Sequence, residues 1–227
     1  MLTEFERRFV SLLTEMICSP EVGTADIRRK RLARRTGDAA KVFSALERLG
    51  YGTFPSDMED YFSRYQEIGI LWRGDRPFSD VGGEISLPHL GDSIALGPPP
   101  WSRQGEWPEP ERELYSQLRV FDKHEKGGVG SSASLRMGVE GSAPEVWFFH
   151  SSRGAVLLDI DYCEYMESLF VTRGFYGWQY LFADISFEDG RYSASGDAIA
   201  RSLSYLQSTF PDSDYSDLRR RMTARGG

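Results

Sequence analysis

The stretch Ala45–Trp72, ALERLGYGTFPSDMEDYFSRYQEIGILW, contains the elements from which the fold can be worked out. One helix ends at Leu49-Gly50, where glycine tolerates the positive φ that is common after a helix C-terminus. Pro55 has a fixed φ that suits the first turn of a following helix, predicted to run to about Tyr65. Apolar residues recur in it at helical spacing, and an apolar strand from Gly69 to Arg73 comes next. The stretch therefore predicts two helices that pack on a sheet.

The whole chain predicts an α+β domain, with N-terminal helices packed on an antiparallel sheet of about five to six strands and further C-terminal helices. The other predicted helices are residues 3–17, about 24–35, 39–49, 162–172 and 197–210. The other predicted strands are short segments at 85–87 and 93–96 and a meander at 115–121, 133–139, 146–150 and 155–160. Five residues are predicted to be largely buried: Tyr61, Trp147, Phe148, Leu157 and Leu158. The aromatic segment 175–182 is too apolar to lie in solvent, so we expect it to close the core.

Two parts of the sequence resemble the motifs of the SUKH superfamily. The first is the opening stretch, with its helix ending in Leu-Gly, the Phe54-Pro55-Ser56-Asp57 start, the Tyr61-Phe62 pair and a strand led by glycine. The second is an apolar strand at 146–149, a glycine turn, a strand that closes on Asp159 and the helix from Tyr162. Together the two parts cover about a third of the chain.

The chain also departs from the family pattern. Glu67-Ile68-Gly69 stands where family members have Asn-Gly, and about 55 residues after Gly174 extend past the family core. The resemblance implies a single SUKH-like domain over residues 1–210 with a Pro-rich insertion at 74–113. We expect residues 211–227 to form a frayed tail.

The SUKH superfamily includes cell-wall-synthesis-regulator-like proteins and toxin-immunity proteins, and its bacterial members are mostly protein-binding modules. The resemblance therefore implies a non-enzymatic protein that binds and inhibits a bacterial toxin. Toxins blocked by such immunity proteins are often nucleases. On this interpretation the partner is a basic toxin domain, and no cofactor is needed.

The charge is unevenly distributed along the 227 residues, whose net charge is −7. Residues 1–50 hold 10 Lys and Arg against 7 Asp and Glu, whereas residues 51–227 hold 17 against 27. The larger part, with a balance of −10, is predicted to repel nucleic acid and to attract a basic partner. Solubility alone would also account for an acidic surface.

The Pro-rich insertion is predicted to contact the partner, because proline cannot extend a central strand and lowers the entropy that a loop loses on binding. Tryptophan is enriched at the energetic centres of interfaces. The candidate partner-binding residues are Trp101, Glu106, Trp107, Glu109 and Glu111. The alternative is that the two tryptophans hold the insertion on the domain.

A basic segment offers a second function from a different class. The spacing of small and apolar residues over 28–50 resembles a helix-turn-helix of bacterial DNA-binding regulators. The alternative DNA-binding residues are Arg28, Arg29, Lys30, Arg31, Arg34 and Arg35. A solvated basic helix face would explain the same residues.

Motifs for catalysis, metals and membranes are not found in the sequence. The histidines His89, His124 and His150 have no second ligand at metal-binding spacing, and no Gly-x-Ser-x-Gly occurs. A Ser-His-Asp set assembled from distant residues is left open by the composition. Two cysteines and no apolar run of 18 residues predict a cytoplasmic protein without a membrane span.

Overall fold

A computed structural model of the chain describes residues 2–29, 39–104, 106–127, 130–137 and 143–227, apart from the side chains of Thr24, Ala25, Arg28, Arg29 and Gln104. The helices are α1 (Glu4–Cys18), α2 (Ala39–Arg48), α3 (Leu90–Leu96), α4 (Trp101–Gln104), α5 (Glu109–Gln117), α6 (Tyr162–Thr172), α7 (Ser193–Thr209) and α8 (Ser216–Ala224), with 3₁₀ helices at Ser56–Tyr61 and Trp178–Phe182. The strands are β1 (Val22–Arg29), β2 (Glu67–Gly74), β3 (Gly82–Pro88), β4 (Leu118–His124), β5 (Ser131–Arg136), β6 (Glu145–His150) and β7 (Gly154–Leu157). The fold is α+β, as the sequence predicts. None of the helices in these ranges has the length and hydrophobicity to cross a bilayer.

The strands form two antiparallel sheets instead of one sheet of five or six strands. The first sheet has the order β1-β2-β3 and the second the order β4-β5-β6-β7. In the first sheet, Ile70 pairs with Ile27 on one side and Ile85 on the other. In the second, Ala133 pairs with Asp122 and Phe148. Each sheet is a meander of consecutive strands, and the sequence predicts the meander of the second sheet.

Two buried carboxylates connect β3 of the first sheet with β4 and the β4–β5 turn of the second. Asp122 Oδ1 accepts a hydrogen bond from the backbone N–H of Ser86 at 3.0 Å. Glu84 Oε2 accepts from the backbone N–H groups of Lys126 and Gly127 at 3.2 and 2.9 Å. Both carboxylates are fully buried. Because buried backbone N–H groups need acceptors, these side chains supply bonds that a continuous sheet would have supplied from its backbone.

Residues 45–72 form the predicted helix, loop, helix and strand, with a shorter second helix. Gly50 follows α2 with a φ of +82°. The second helix is a 3₁₀ helix that ends at Tyr61, whereas the sequence predicts a helix to about Tyr65. Phe62 after it has extended backbone and is 2% exposed. The apolar stripe of this helix therefore reaches the core although the helix itself is short.

The predicted helix at 24–35 is wrong in its described part. Val22–Arg29 forms β1, which pairs along its length with β2. Residues 30–38 lie outside the described residues. Strand preference depends mainly on packing against neighbouring strands, so the pairing of Ile27 with Ile70 outweighs the preference of the basic residues for helix. The predicted helix at 3–17 is confirmed, and Thr3 and Glu6 form a capping box at its start.

The aromatic segment 175–182 lies in the core, as predicted. Phe175, Trp178 and Leu181 are fully buried, and the Trp178 ring lies 4.7 Å from that of Tyr165 in α6. This segment and α6 pack against the inner face of the second sheet, where Tyr180 meets Phe148 edge-on at 5.3 Å. The core is thus built from both sheets, α6 and the second 3₁₀ helix.

The sequence prediction of five largely buried residues is only partly right. Phe148 and Leu158 are buried, at 2% and 4% exposure. Tyr61 and Trp147 are half-buried, and Leu157 is 46% exposed. Trp147 and Leu157 are cross-strand partners on the outer face of the second sheet, away from the main core.

The insertion at 74–113 folds into β3, α3, α4 and the start of α5. The predicted strand at 85–87 is confirmed as part of β3. The predicted strand at 93–96 is wrong, because these residues form the second half of α3. His89 caps this helix, with its Nδ1 accepting from the Asp92 backbone N–H at 3.2 Å. The insertion covers part of the outer face of the second sheet, where Trp101, Tyr115 and Phe149 pack together.

The residues after Pro211 are folded instead of frayed. They include α8, whose Leu218 is buried in the core cluster. Arg225 donates from Nε to the Ala183 carbonyl at 2.8 Å, and its own carbonyl accepts from the Phe187 backbone N–H at 2.8 Å. The prediction of a tail at 211–227 is therefore wrong, because this short helix has specific tertiary contacts.

Candidate functional site

The two tryptophans of the candidate set attach the insertion to the outer face of the second sheet. Trp101 stacks on Phe149 of β6, with ring centroids 3.6 Å apart and an angle of 6° between the planes. Trp107 lies edge-on to Tyr115 at 5.1 Å and donates its indole N–H to the Trp101 carbonyl at 3.2 Å. Stacked and edge-on aromatic pairs stabilise packing beyond the area that they bury. Both tryptophans hold the insertion in place, and both keep part of their surface exposed.

The candidate carboxylates extend from the same segment into solvent. Glu106 and Glu109 are exposed, and Glu109 forms an ion pair with Arg112 on the same helix. Glu111 is half-buried and accepts a hydrogen bond from a tyrosine hydroxyl one turn along α5. Glu113 is exposed as well. Negative charge in the first turn stabilises α5, because the N-terminal end of a helix carries partial positive charge.

Further apolar side chains continue this surface at the edge of the sheet. Trp147 is partly exposed and donates its indole N–H to Glu145 at 2.9 Å. Leu157 is its cross-strand partner, and Leu114 of α5 is partly exposed beside Tyr115. We use "the α5 surface" for six residues: Glu106, Trp107, Glu109, Glu113, Trp147 and Leu157.

Sequence reasoning assigned Trp147 and Leu157 to the core, although a signal for their position was present. In β6, Val146 and Phe148 point to one face, whereas Trp147 and Phe149 point to the other. A strand that is apolar on both faces is typical of a sheet covered on both sides. The pattern therefore indicates a second layer over this sheet, and the insertion forms that layer.

A groove of about 620 Å³ lies between the α3–α4 segment and strands β4 and β5. One wall contains Leu96, which is 83% exposed, and Pro98–Pro100. The strands contribute Val120 and Ser132, and Trp101 lines the groove as well as supporting the α5 surface. The groove is thus a concave, largely apolar feature on the same face of the sheet as the α5 surface.

A buried chain of hydrogen bonds contains the three residue types of a hydrolytic triad. His124 Nδ1 lies 3.1 Å from Ser131 Oγ, and its Nε2 lies 3.3 Å from Asp122 Oδ2. In Ser-His-Asp enzymes the hydroxyl contacts Nε2 and the carboxylate contacts Nδ1, which is the reverse arrangement. His124 is 1% exposed and Ser131 8% exposed. Asp122 also accepts from the Tyr165 hydroxyl at 2.8 Å, so we assign this chain to the packing of β4, β5 and α6.

Cys163 sits in an acidic environment that keeps its thiol protonated. Burial, together with the nearby carboxylates of Asp57, Asp161 and Asp60, raises the pKa of Cys163 to about 12. The thiolate is the nucleophilic form of cysteine, and it forms readily only where the surroundings are electropositive. This cysteine therefore has none of the activation that nucleophilic catalysis requires.

The candidate DNA-binding residues fall in two places. Arg28 and Arg29 are at the end of β1, where the sequence predicts a helix. Lys30, Arg31, Arg34 and Arg35 lie outside the described residues. The helix that would follow in a helix-turn-helix is present as α2, with Phe43 and Leu46 buried. The structure thus contains one of the two helices of that motif in the part of the chain that it describes.

Within the described ranges, no three His, Cys, Asp or Glu side chains come together as metal ligands. Comparison with known proteins finds no family model, no curated protein and no solved structure that matches this chain. The resemblance to the SUKH superfamily therefore stays a prediction from the two sequence motifs, and the function has to be argued from the residues themselves.

Proposed function

We propose that this chain is a non-enzymatic protein-binding module that holds a basic protein partner on the α5 surface. The observation that carries the proposal is the juxtaposition of exposed carboxylates with partly exposed aromatic side chains. Glu106, Glu109 and Glu113 supply the charge on the segment that carries Trp107. Trp107 and Trp147 both pack on the outer-face cluster around Tyr115 and supply apolar area. Interfaces are enriched in tryptophan at their energetic centres, and complementary charge increases the rate of association.

The supporting layer beneath the α5 surface makes it suitable for binding. Trp107 is held by Tyr115 and by the backbone carbonyl of Trp101. Trp147 is held by its hydrogen bond to Glu145. Side chains that are already fixed before association lose less entropy when the partner binds.

The partner that we propose is a bacterial toxin domain, which this chain inhibits as an immunity protein. The SUKH-like motifs in 45–72 and 146–170 support this class of partner, and so does the −10 balance of residues 51–227. A nuclease active site is basic because it holds phosphates, so an acidic surface can occupy it and exclude the nucleic acid.

Co-expression with candidate toxin domains drawn from neighbouring genes tests the proposal. The wild-type chain should restore growth to cells that produce the toxin. A surface variant with Glu106→Lys, Glu109→Lys and Glu113→Lys should restore much less growth, because it presents positive charge to a basic partner. A control variant with Asp184→Lys, Asp197→Lys and Asp212→Lys carries the same change in net charge at other exposed positions.

The control variant should melt close to the wild-type chain, since its substituted side chains are exposed. The surface variant should melt slightly lower but stay folded, because Glu109→Lys removes the favourable charge at the start of α5 and the exposed pair with Arg112, a loss of about 1 kcal/mol. Equal protection by the surface and control variants would reject the α5 surface as the interface. Failure of the wild-type chain to protect would reject the toxin as the partner.

Duplex DNA is the second candidate ligand, through the segment 28–50. A helix-turn-helix in this segment requires a first helix that starts near residue 28. Arg28 and Arg29, the first two residues of that helix, belong to β1 instead. We therefore rank this function second. A gel shift of duplex DNA that weakens steeply between low and physiological salt would favour it over protein binding, because phosphate contacts release counterions.

A further inference from the structure

We infer that the groove between the α3–α4 segment and strands β4 and β5 binds a small amphipathic anion, a molecule with an apolar body and one acidic group. The groove volume of about 620 Å³ lies in the range of small-molecule sites. The inference does not depend on the proposed partner, because the groove is a separate cavity of the same chain.

The apolar part of the site comes from the insertion. Leu96 is 83% exposed, the largest exposure among the large apolar side chains of the described residues, and it lines the groove. Pro98–Pro100 form the adjoining wall, and Val120 lies opposite on β4. Removing apolar surface of this kind from water is favourable in proportion to its area, so the groove favours a ligand with an apolar body.

The charged part of the site is cationic. Arg103 of α4 lines the groove, is exposed, and forms no ion pair with any described residue. Lys123 of β4 also lines it, and its nearest carboxylate is that of Glu125 at 3.8 Å in an exposed pair. The groove lining thus contains two cations, Arg103 and Lys123, and one carboxylate, that of Glu125. The lining has net positive charge, which an anionic ligand would balance.

A buried hydroxyl supplies the polar anchor. Ser132 lines the groove at 5% exposure, and its Oγ has no hydrogen-bond partner among the described residues. Ser132 is the cross-strand neighbour of Lys123, so the hydroxyl and the ammonium group belong to the same side of the sheet. A buried hydroxyl without a partner is costly, and a ligand oxygen that accepts its hydrogen bond removes that cost.

A matched pair of fluorescent probes tests the inference on the full-length chain. Anilinonaphthalene sulfonate has an aromatic body and one negative charge, and N-phenylnaphthylamine has the same body without the sulfonate. The sulfonate should bind at one saturable site and more tightly than the uncharged probe. Arg103→Gln with Lys123→Gln should weaken sulfonate binding about tenfold and change binding of the uncharged probe less than about twofold.

Two more variants complete the design. Leu96→Ala should weaken binding of both probes, because it removes apolar contact without removing charge. Arg7→Gln with Arg201→Gln removes the same charge from exposed positions on α1 and α7 and should leave both affinities unchanged. Equal affinity of the wild-type chain for the two probes would overturn the inference. So would sulfonate binding that does not saturate, or an equal loss in the groove and control variants.

Discussion

Asp122 of β4 accepts a hydrogen bond from the backbone N–H of Ser86 in β3 at 3.0 Å, so one side chain links the two sheets. Its second oxygen accepts from the Tyr165 hydroxyl of α6 at 2.8 Å. A single buried carboxylate therefore contacts the first sheet and the core helix while belonging to the second sheet. Because β4 also lines the groove, this contact fixes the position of the groove relative to the N-terminal half of the fold.

Replacing Asp122 by Ala should lower the free energy of unfolding by about 3 kcal/mol. The substitution leaves the Ser86 N–H and the Tyr165 hydroxyl without their acceptor in a buried place, and each unsatisfied group costs about 1–3 kcal/mol. Asp122→Asn keeps one oxygen acceptor and should cost less. Urea unfolding of the three proteins measures the difference, and an alanine variant as stable as the wild-type chain would show that the carboxylate does not hold the sheets together.

The buried pair of Glu6 and Arg64 should make stability depend on acid pH. Glu6 Oε1 accepts from the Arg64 backbone N–H at 2.9 Å and from its Nε at 3.0 Å. Burial alone would raise the pKa of Glu6, but the hydrogen bonds from Arg64 and Thr3 and the charge of Arg64 outweigh it. The pKa therefore lies below its ordinary value of 4.5.

The sign of the effect follows from that lowered pKa. On lowering the pH, the unfolded chain takes up the Glu6 proton before the folded chain does. The stabilisation is thus fully present above about pH 4.5 and is lost as the pH falls through the folded pKa. Wild type should exceed Glu6→Gln in unfolding free energy by about 1–3 kcal/mol at pH 7, and the excess should shrink as the pH is lowered below 4.5. A difference that is constant over this range would contradict the assignment.

Two adjacent leucines give a matched test of the packing at the end of the second sheet. Leu158 is 4% exposed and Leu157 is 46% exposed. Leu158→Ala should cost about 2–5 kcal/mol, because it leaves a cavity in the core. Leu157→Ala should cost much less, because its side chain is largely in solvent. Thermal melts of both variants measure the two losses. Equal losses would mean that the buried position of Leu158 and the outward position of Leu157 are wrongly assigned.

Sequence periodicity predicts the regular elements of this fold well where one face is apolar. The helices of Glu4–Cys18 and Tyr162–Thr172 have such faces and form as expected. The strands of the second sheet are also found, within a few residues of their predicted ends. In these segments local pattern and tertiary packing favour the same structure.

Sequence periodicity does not predict the structure where tertiary contacts determine it. The contact between Asp122 and Ser86 joins residues 36 positions apart, and no local pattern indicates that the sheet divides there. β1 forms because β2 is available to pair with it. Residues 216–224 are helical in the fold because Leu218 enters the core and Arg225 bonds to Ala183. For the α5 surface, the composition of the insertion predicted Trp107 and Glu109. The positions of Trp147 and Leu157 could not be predicted without knowing which face of the sheet the insertion covers.

The affinity for three purified proteins of the toxin domain that the wild-type chain neutralises in co-expression tests the central proposal most directly. The three proteins are the wild-type chain, the surface variant with Glu106→Lys, Glu109→Lys and Glu113→Lys, and the control variant with Asp184→Lys, Asp197→Lys and Asp212→Lys. The three charge reversals of the surface variant should weaken its binding about 100-fold or more. A higher salt concentration should reduce the difference in affinity between this variant and the wild-type chain. The control variant should bind within about threefold of wild type, because exposed charges outside the interface contribute little to binding. Equal affinities for the surface and control variants would contradict the assignment of the α5 surface as the partner-binding site.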